Sequence, residues 1–225
     1  MLSSRYNLIA KSSLASLAIL ICGLLLTGCM GGQFNPNGWA GPAVSNGFLY
    51  AASFKDGDLL KIDLSDKSII DLTPRASEKP SSFLGCQGSE PPVLIPYGTP
   101  LVWSGSMVYV ASYEGKIYAL TPNGAEKWRY DTKSRIVGSP AIDATDGNPL
   151  IVAAGKKLYA FDTETAGALA WAKPFKATGE IWSTPVISNG RVYFGDKNHK
   201  LYAVNMETGE LVWEKGFDGP VLSTP

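Results

Sequence analysis

The sequence predicts an all-β fold of repeated four-stranded antiparallel units, and three observations lead there. One period runs through three residue types. Trp128, Trp171 and Trp213 are spaced by 43 and 42 residues, Tyr118, Tyr159 and Tyr202 by 41 and 43, and Pro100, Pro140, Pro185 and Pro225 by 40, 45 and 40. Within each period, short runs rich in Val, Ile, Tyr and Phe are broken by Gly, Pro and Asn about every 8 to 12 residues, the spacing of strands and turns. The composition agrees: 24 glycines and 15 prolines in 225 residues suit tight turns, and 45% hydrophobic against 18% charged residues can build a buried core.

The N-terminus reads as an address. Met1 to Ser13 carries Arg5 and Lys11 and no acid, and Leu14 to Leu26 is a run of 13 uncharged residues. A spanning helix needs about 20 apolar residues, so this run has the length of a signal-peptide core. It ends in Leu26-Thr27-Gly28-Cys29, which resembles the lipobox of bacterial lipoproteins. That resemblance implies cleavage before Cys29 and acylation of its thiol, so that membrane lipid is held through Cys29; two or more acyl chains anchor far better than one. Residues 1–28 are then the signal and 29–38 a lipidated tether. The competing reading is a plain secretory signal with a chance cysteine. Met30 stands where an aspartate would resemble an inner-membrane retention signal. The expected location is extracytoplasmic, lipid-anchored to the cell membrane or, if there are two, the periplasmic side of the outer membrane. Cys22 leaves with the signal, so only Cys86 remains as a thiol and no internal disulfide forms.

The clearest repeat unit starts at Ser183-Thr184-Pro185. Runs at Arg191–Gly195, Lys200–Asn205 and Leu211–Glu214 follow, joined by turns at Ser188-Asn189-Gly190, Asp196–His199 and Met206–Glu210. A unit from Gly138-Ser139-Pro140 repeats it with Leu150–Ala153, Lys157–Asp162 and Leu169-Ala170-Trp171, and one from Thr99-Pro100 with Met107–Val110, Lys116–Leu120 and Glu126–Trp128. A first unit without the tryptophan runs from Gly41-Pro42 through Phe48–Ala51 and Leu60–Leu64 to Ile69–Leu72. Four antiparallel strands in each 40 to 45 residues make one blade of a β-propeller, giving blades at about 39–73, 98–132, 136–175 and 181–217. Val221 to Pro225 reads as the first strand of a fifth, partial unit at 220–225, and the expectation is a fragment of a seven- or eight-bladed ring. Residues 74–97 interrupt the period with five prolines and Cys86; so long an insertion is expected to bind a partner or be disordered.

Ala203-x-Asn205-x-x-Thr208-Gly209-x-x-x-Trp213 and Ala160-x-Asp162…Gly167-x-x-x-Trp171 resemble the tryptophan-docking repeat of the PQQ-type propeller superfamily, A-x-D-x-x-T-G-x-x-x-W. Asn205 replaces the aspartate in one copy. The copy from Ala160 has one residue too many, and that from Ala119 to Trp128 one too few. The resemblance implies that Trp128, Trp171 and Trp213 are structural docking residues rather than a ligand platform. One branch of the superfamily is quinoprotein dehydrogenases; another resembles the BamB-like outer-membrane assembly lipoproteins. The lipobox favours the second, which implies a non-catalytic protein-binding scaffold with a protein partner, possibly an outer-membrane assembly complex.

Enzyme readings find little to stand on. The dehydrogenases resemble eight-bladed rings with adjacent cysteines and a metal held by Glu, Asn and Asp, and adjacent cysteines are absent. No cofactor is expected: PQQ is conceivable, but no catalytic, cofactor-binding or metal residue is marked. His199, the only histidine, falls in a predicted hairpin turn, so neither a triad nor a multi-histidine zinc site is in prospect. Asp143–Asn148 loosely resembles a calcium loop but reads better as a polar turn. The carboxylates as a group, Asp196 among them, read as turn residues. Formal net charge is zero and no basic stripe exists, so nucleic acid is not an expected partner. The alternative function is a PQQ-binding oxidoreductase or ligand-sensing propeller whose site lies on blades outside this sequence.

Overall fold

The computed structural model describes residues 41–52, 57–74, 96, 98–103, 106–143, 145 and 147–225. The signal, Cys29, the tether and most of the insertion, with Cys86, lie outside the described residues.

Among the described residues, sixteen short strands form four antiparallel sheets in which neighbours in sequence are neighbours in space. The first sheet holds β1 (Ala43–Ser45), β2 (Phe48–Ala52), β3 (Leu59–Asp63) and β4 (Ile69–Asp71). The second holds β5 (Leu101–Trp103), β6 (Met107–Ala111), β7 (Lys116–Leu120) and β8 (Glu126–Asp131). The third holds β9 (Ala141–Ile142), β10 (Leu150–Ala154), β11 (Lys157–Phe161) and β12 (Phe175–Lys176). The fourth holds β13 (Val186–Ser188), β14 (Arg191–Gly195), β15 (Lys200–Asn205) and β16 (Leu211–Gly216). These are β-propeller blades, and the fold is all-β.

The central residues of the middle strands are mostly apolar because both faces of a blade are covered, with Lys116, Lys157, Arg191 and Lys200 at the strand starts. In β10, Leu150, Val152 and Ala154 pack on the second blade, while Ile151 and Ala153 pack on the fourth. In the second blade, Val108, Val110, Tyr118 and Leu120 face the first blade, and Tyr109, Ala111, Ile117 and Ala119 face the third. Strand alternation thus assigns each residue to one of two junctions. Tyr118, Tyr159 and Tyr202 are all buried in these junctions. An aromatic ring covering roughly 150–250 Å² gains about 4–6 kcal/mol of transfer free energy at ~25 cal/mol/Å², before ordering costs.

Two segments differ from the sequence expectation. In the third blade, Leu169 makes only an isolated bridge to Phe161, and the outer strand resumes at Phe175–Lys176, paired with Leu158 and Lys157. The preceding turn holds the extra residue, and Pro174 has no N–H to continue a ladder. Residues 220–225 form no strand. Val221 instead donates its N–H to the Asp196 carbonyl at 3.1 Å, tying that segment to the fourth blade.

Candidate functional site: the blade junctions and the inner cleft

Each β3–β4-type turn is built around a residue in the left-handed conformation. Gly124, Gly167 and Gly209 occupy it at φ 82°, 78° and 71°. The residue opening the turn holds it together. Asp162 Oδ1 accepts the N–H groups of Glu164 (2.8 Å) and Thr165 (3.3 Å), and Asn205 Oδ1 those of Glu207 (2.8 Å) and Thr208 (2.9 Å). An amide oxygen accepts as a carboxylate does, which is why Asn205 can replace the aspartate. At Asp162 the Glu164 N–H, followed by Thr165, lowers the carboxyl pKa.

The tryptophan of one blade lies flat on the glycine of the next. A Cβ at Gly167 would stand 2.5 Å from Trp128 Cε3, and one at Gly209 2.5 Å from Trp171 Cδ2. Trp171 is 2% exposed, and its Nε1–H donates to the Met206 carbonyl at 2.8 Å. Trp128 is 8% exposed, but its Nε1–H has no acceptor among the described residues. The turn it meets is the one with the extra residue between Asp162 and Gly167. Trp213 is 38% exposed beside Tyr193, at a ring separation of 6.0 Å.

The junction between the first two blades uses other residues. Leu72 packs against Gly124, and Lys61 Nζ donates to the Pro122 carbonyl at 3.2 Å while lying 4.0 Å from the Phe48 ring centroid. Pro122 follows the first residue of its turn as Met206 follows Asn205. An ammonium therefore fills the place of an indole N–H. Sequence reasoning passed over Lys61, since a strand lysine reads as solvent-facing. It also passed over Trp103, whose ring packs on Gly147 in the β9–β10 turn and has no counterpart in the other blades.

A carboxylate is buried in the fourth blade. Asp196, expected to be a solvated turn residue, is 0% exposed. Its Oδ2 accepts Gly179 N–H (2.7 Å), Thr178 Oγ1 (2.9 Å) and Tyr202 Oη (3.0 Å), and its Oδ1 accepts Lys200 N–H at 3.0 Å. Burial is the strongest single influence and pushes its pKa up. The bonds from Gly179, Thr178, Lys200 and Tyr202 together outweigh it, and the net shift is downward. The Tyr202 hydroxyl is raised, by burial first. With every donor used, this network fixes the β14–β15 turn and offers no free base. His199 sits in the same turn at φ 65°. Asp143 closes its own turn, accepting the Thr145 N–H at 2.7 Å and the Gly147 N–H on its carbonyl at 3.0 Å. Among the described residues no three His, Cys, Asp or Glu gather as a metal site.

The first strands lie where the blades converge. Thr99 donates its N–H to Ser139 Oγ (2.8 Å), and Ser139 its own to Thr184 Oγ1 (3.0 Å), linking three blades by equivalent hydroxyls. Ser183 Oγ both donates to the Gly195 carbonyl (3.0 Å) and accepts its N–H (2.8 Å). Above this seam opens a cleft of about 790 Å³, lined by Val137, Trp182, Leu222 and the Ser and Thr hydroxyls. Trp182 is 40% and Leu222 44% exposed. Lys197 Nζ lies 4.2 Å from the Trp182 ring centroid and 3.2 Å from Glu180 Oε2. The cleft presents an aromatic platform and a hydroxyl floor, and Lys197 lies outside its lining.

The model of the family described as outer membrane protein assembly factor BamB matches residues 88–174 and 163–225. This chain belongs to the BamB family. Among relatives, BamB of Nitrosomonas eutropha is 27% identical over 154 residues, covering 68% of this chain and 35% of that protein. BamB of Yersinia pestis is 31% identical over 118 residues, 50% of this chain and 29% of the relative. BamB of Legionella pneumophila is 26% identical over 182 residues, 79% and 43% respectively. The chain thus spans less than half the length of these curated relatives. The crystal structure of BamB from Moraxella catarrhalis superposes with a TM-score of 0.57 at 18% identity, covering 79% of this chain and 48% of that one. The designed protein Ika8 gives 0.59 at 14% identity, covering 81% and 50%. Both show the shared fold.

Proposed function

We propose that this chain is a lipid-anchored extracytoplasmic scaffold that binds protein segments during assembly of outer-membrane proteins, without catalysis. The observation that carries the reading is the BamB family match over most of the described blades. The cleft supports a protein partner: Trp182 and Leu222 offer exposed apolar anchors beside hydroxyls, the mixture that seats peptide side chains. The same lining supports the reading without a quinone. PQQ bears three carboxylates, and the cleft is lined by hydroxyls, glycines and apolar groups rather than by cations or metal-binding carboxylates. Anchoring through acylated Cys29 completes the proposal, with a location on the periplasmic side of the outer membrane.

The test is a photo-crosslinkable residue in place of Trp182, irradiated in native envelopes. The scaffold reading expects adducts with a component of the outer-membrane assembly machinery. Adducts with none, or calorimetric binding of PQQ with calcium to the chain, would refute it. Cys29→Ser should abolish incorporation of labelled palmitate and move the chain to the soluble fraction; unchanged labelling would remove the anchor from the proposal.

A further inference from the structure

Cations collect at one end of the blades. Successive strands in each sheet are antiparallel, so the turns after the first and third strands lie at one end. The turn after the second strand and the connections between blades lie at the other. At this second end Arg135, Lys156, Lys157 and Lys176 are all exposed. The backbone brings them together. Gly155 donates its N–H to the Arg135 carbonyl and Ala177 its own to the Lys156 carbonyl, both at 2.8 Å, and Lys157 and Lys176 are direct partners across β11 and β12. Side chains paired in this way leave the same face of a sheet with Cβ atoms about 4.5–5.5 Å apart, and like charges there are destabilising.

No acid relieves that repulsion. Among the described residues none of the four cations makes an ion pair. Lys156 Nζ donates to the Thr178 carbonyl at 3.2 Å, and the Arg135 guanidinium lies 5.5 Å from the Tyr113 ring centroid. Three carboxylates at the same end are engaged elsewhere: Asp131 with Lys133 at 2.6 Å, Glu180 with Lys197 at 3.2 Å, and Asp196 with its four donors. The cluster sits on the second and third blades, each of which packs on a blade at either side, so its exposure belongs to the outward turns themselves. The opposite end is acidic. Its turns before the fourth strands carry Asp63 and Asp66, Asp162 and Glu164, and Glu207 and Glu210, and among the described residues Lys67 is the one base in them. A local rule broken with no compensation inside the fold marks a functional surface.

The way the chain enters the blades points to the anion. Gly41 leads into β1 at the end that carries the cations, and Cys29 stands 12 residues before it. A flexible linker of that length spans about 20 Å root-mean-square, and a five-residue strand is about 17 Å long. An anchor at Cys29 therefore holds the cationic end nearest the membrane and the acidic end away from it. We propose that Arg135, Lys156, Lys157 and Lys176 bind the phosphate groups of anionic phospholipids and seat this end of the blades on the membrane surface. The choice of a membrane as the source of the phosphate rests on the anchoring through Cys29. Each Lys or Arg beside an anionic leaflet tightens binding about fivefold, and four together a few hundredfold. The acidic turns are repelled by the same surface, so the patch sets orientation as well as adhesion.

The full chain is placed in vesicles of phosphatidylcholine, alone or mixed with phosphatidylglycerol, and acetylation of each lysine by a water-soluble reagent is followed by mass spectrometry. Lys156, Lys157 and Lys176 should react at least about fivefold more slowly on the anionic vesicles. Lys67, at the acidic end, should react at one rate on both, and about 0.5 M salt should remove the difference. Lys157→Gln combined with Lys176→Gln should return Lys156 to its rate on neutral vesicles; both side chains are exposed, so the fold is kept. The proposal is overturned if the three lysines react equally on both vesicles, or if Lys67 is protected with them. It is equally overturned if inorganic phosphate on neutral vesicles protects them as well as the anionic lipid does, which would make free phosphate the ligand. Flotation with neutral vesicles reads the Cys29 anchor separately: a chain that fails to float there but is protected on the anionic vesicles loses the anchor and keeps the patch.

Discussion

Trp171 and Trp128 occupy the same position in consecutive blades, and replacing each by phenylalanine isolates one hydrogen bond. Both rings lie on a left-handed glycine and are at least nine-tenths buried, so loss of ring area costs the two variants about equally. They differ at the indole N–H. Trp171→Phe breaks the 2.8 Å bond to Met206, worth about 0.5–1.5 kcal/mol net. Trp128→Phe removes a buried donor without an acceptor, whose burial costs about 1–3 kcal/mol. The two terms have opposite sign, so Trp171→Phe should be the more destabilising by about 2 kcal/mol or more. Urea unfolding followed by far-ultraviolet circular dichroism checks this without relying on tryptophan emission. Equal midpoints, or a lower midpoint for Trp128→Phe, would refute the reasoning and show that the two junctions are equivalent. The turn offers a complementary test. Deleting one residue between Thr163 and Ala166 restores the regular spacing and should raise the midpoint of the wild-type chain while leaving Trp128→Phe unimproved.

The Asp196 carboxyl has its pKa lowered in the folded chain. Its contribution is therefore present above the unfolded value of about 4 and is lost as pH falls through the lower folded value; urea midpoints taken downward from neutral pH should drop in this range, and Asp196→Asn should flatten the drop. Asp196→Ala leaves the Gly179 and Lys200 N–H groups without their acceptor and should cost about 2 kcal/mol or more in the same unfolding assay. Gly209→Ala should cost more than Gly190→Ala: both have positive φ, but a Cβ at Gly209 meets the Trp171 ring and one at Gly190 meets open space. The open site carries only the left-handed penalty of about 1–2 kcal/mol, and equal melting shifts would deny the stacking. Ser183→Ala removes both bonds to the Gly195 backbone and should lower stability by about 1–3 kcal/mol, measured by thermal melting.

What could be read from the sequence is what each blade does again. Four strands per period, the turn glycines and the docking tryptophans recur, so each copy checks the others. The apolar middle strands follow from the same repetition, because a blade between two blades has no solvent face. Features belonging to one junction have no such check. Lys61 replaces an indole N–H, Asp196 gathers four donors and Trp103 finds Gly147, through partners some 4 to 61 positions away in sequence that strand patterning does not reveal. The copy from Ala160 to Trp171 lies between these cases. Its extra residue is visible in the sequence, yet the consequence falls on Trp128, one blade earlier, because a docking tryptophan is completed by its neighbour's turn. A departure from the repeat is therefore best interpreted at the preceding junction.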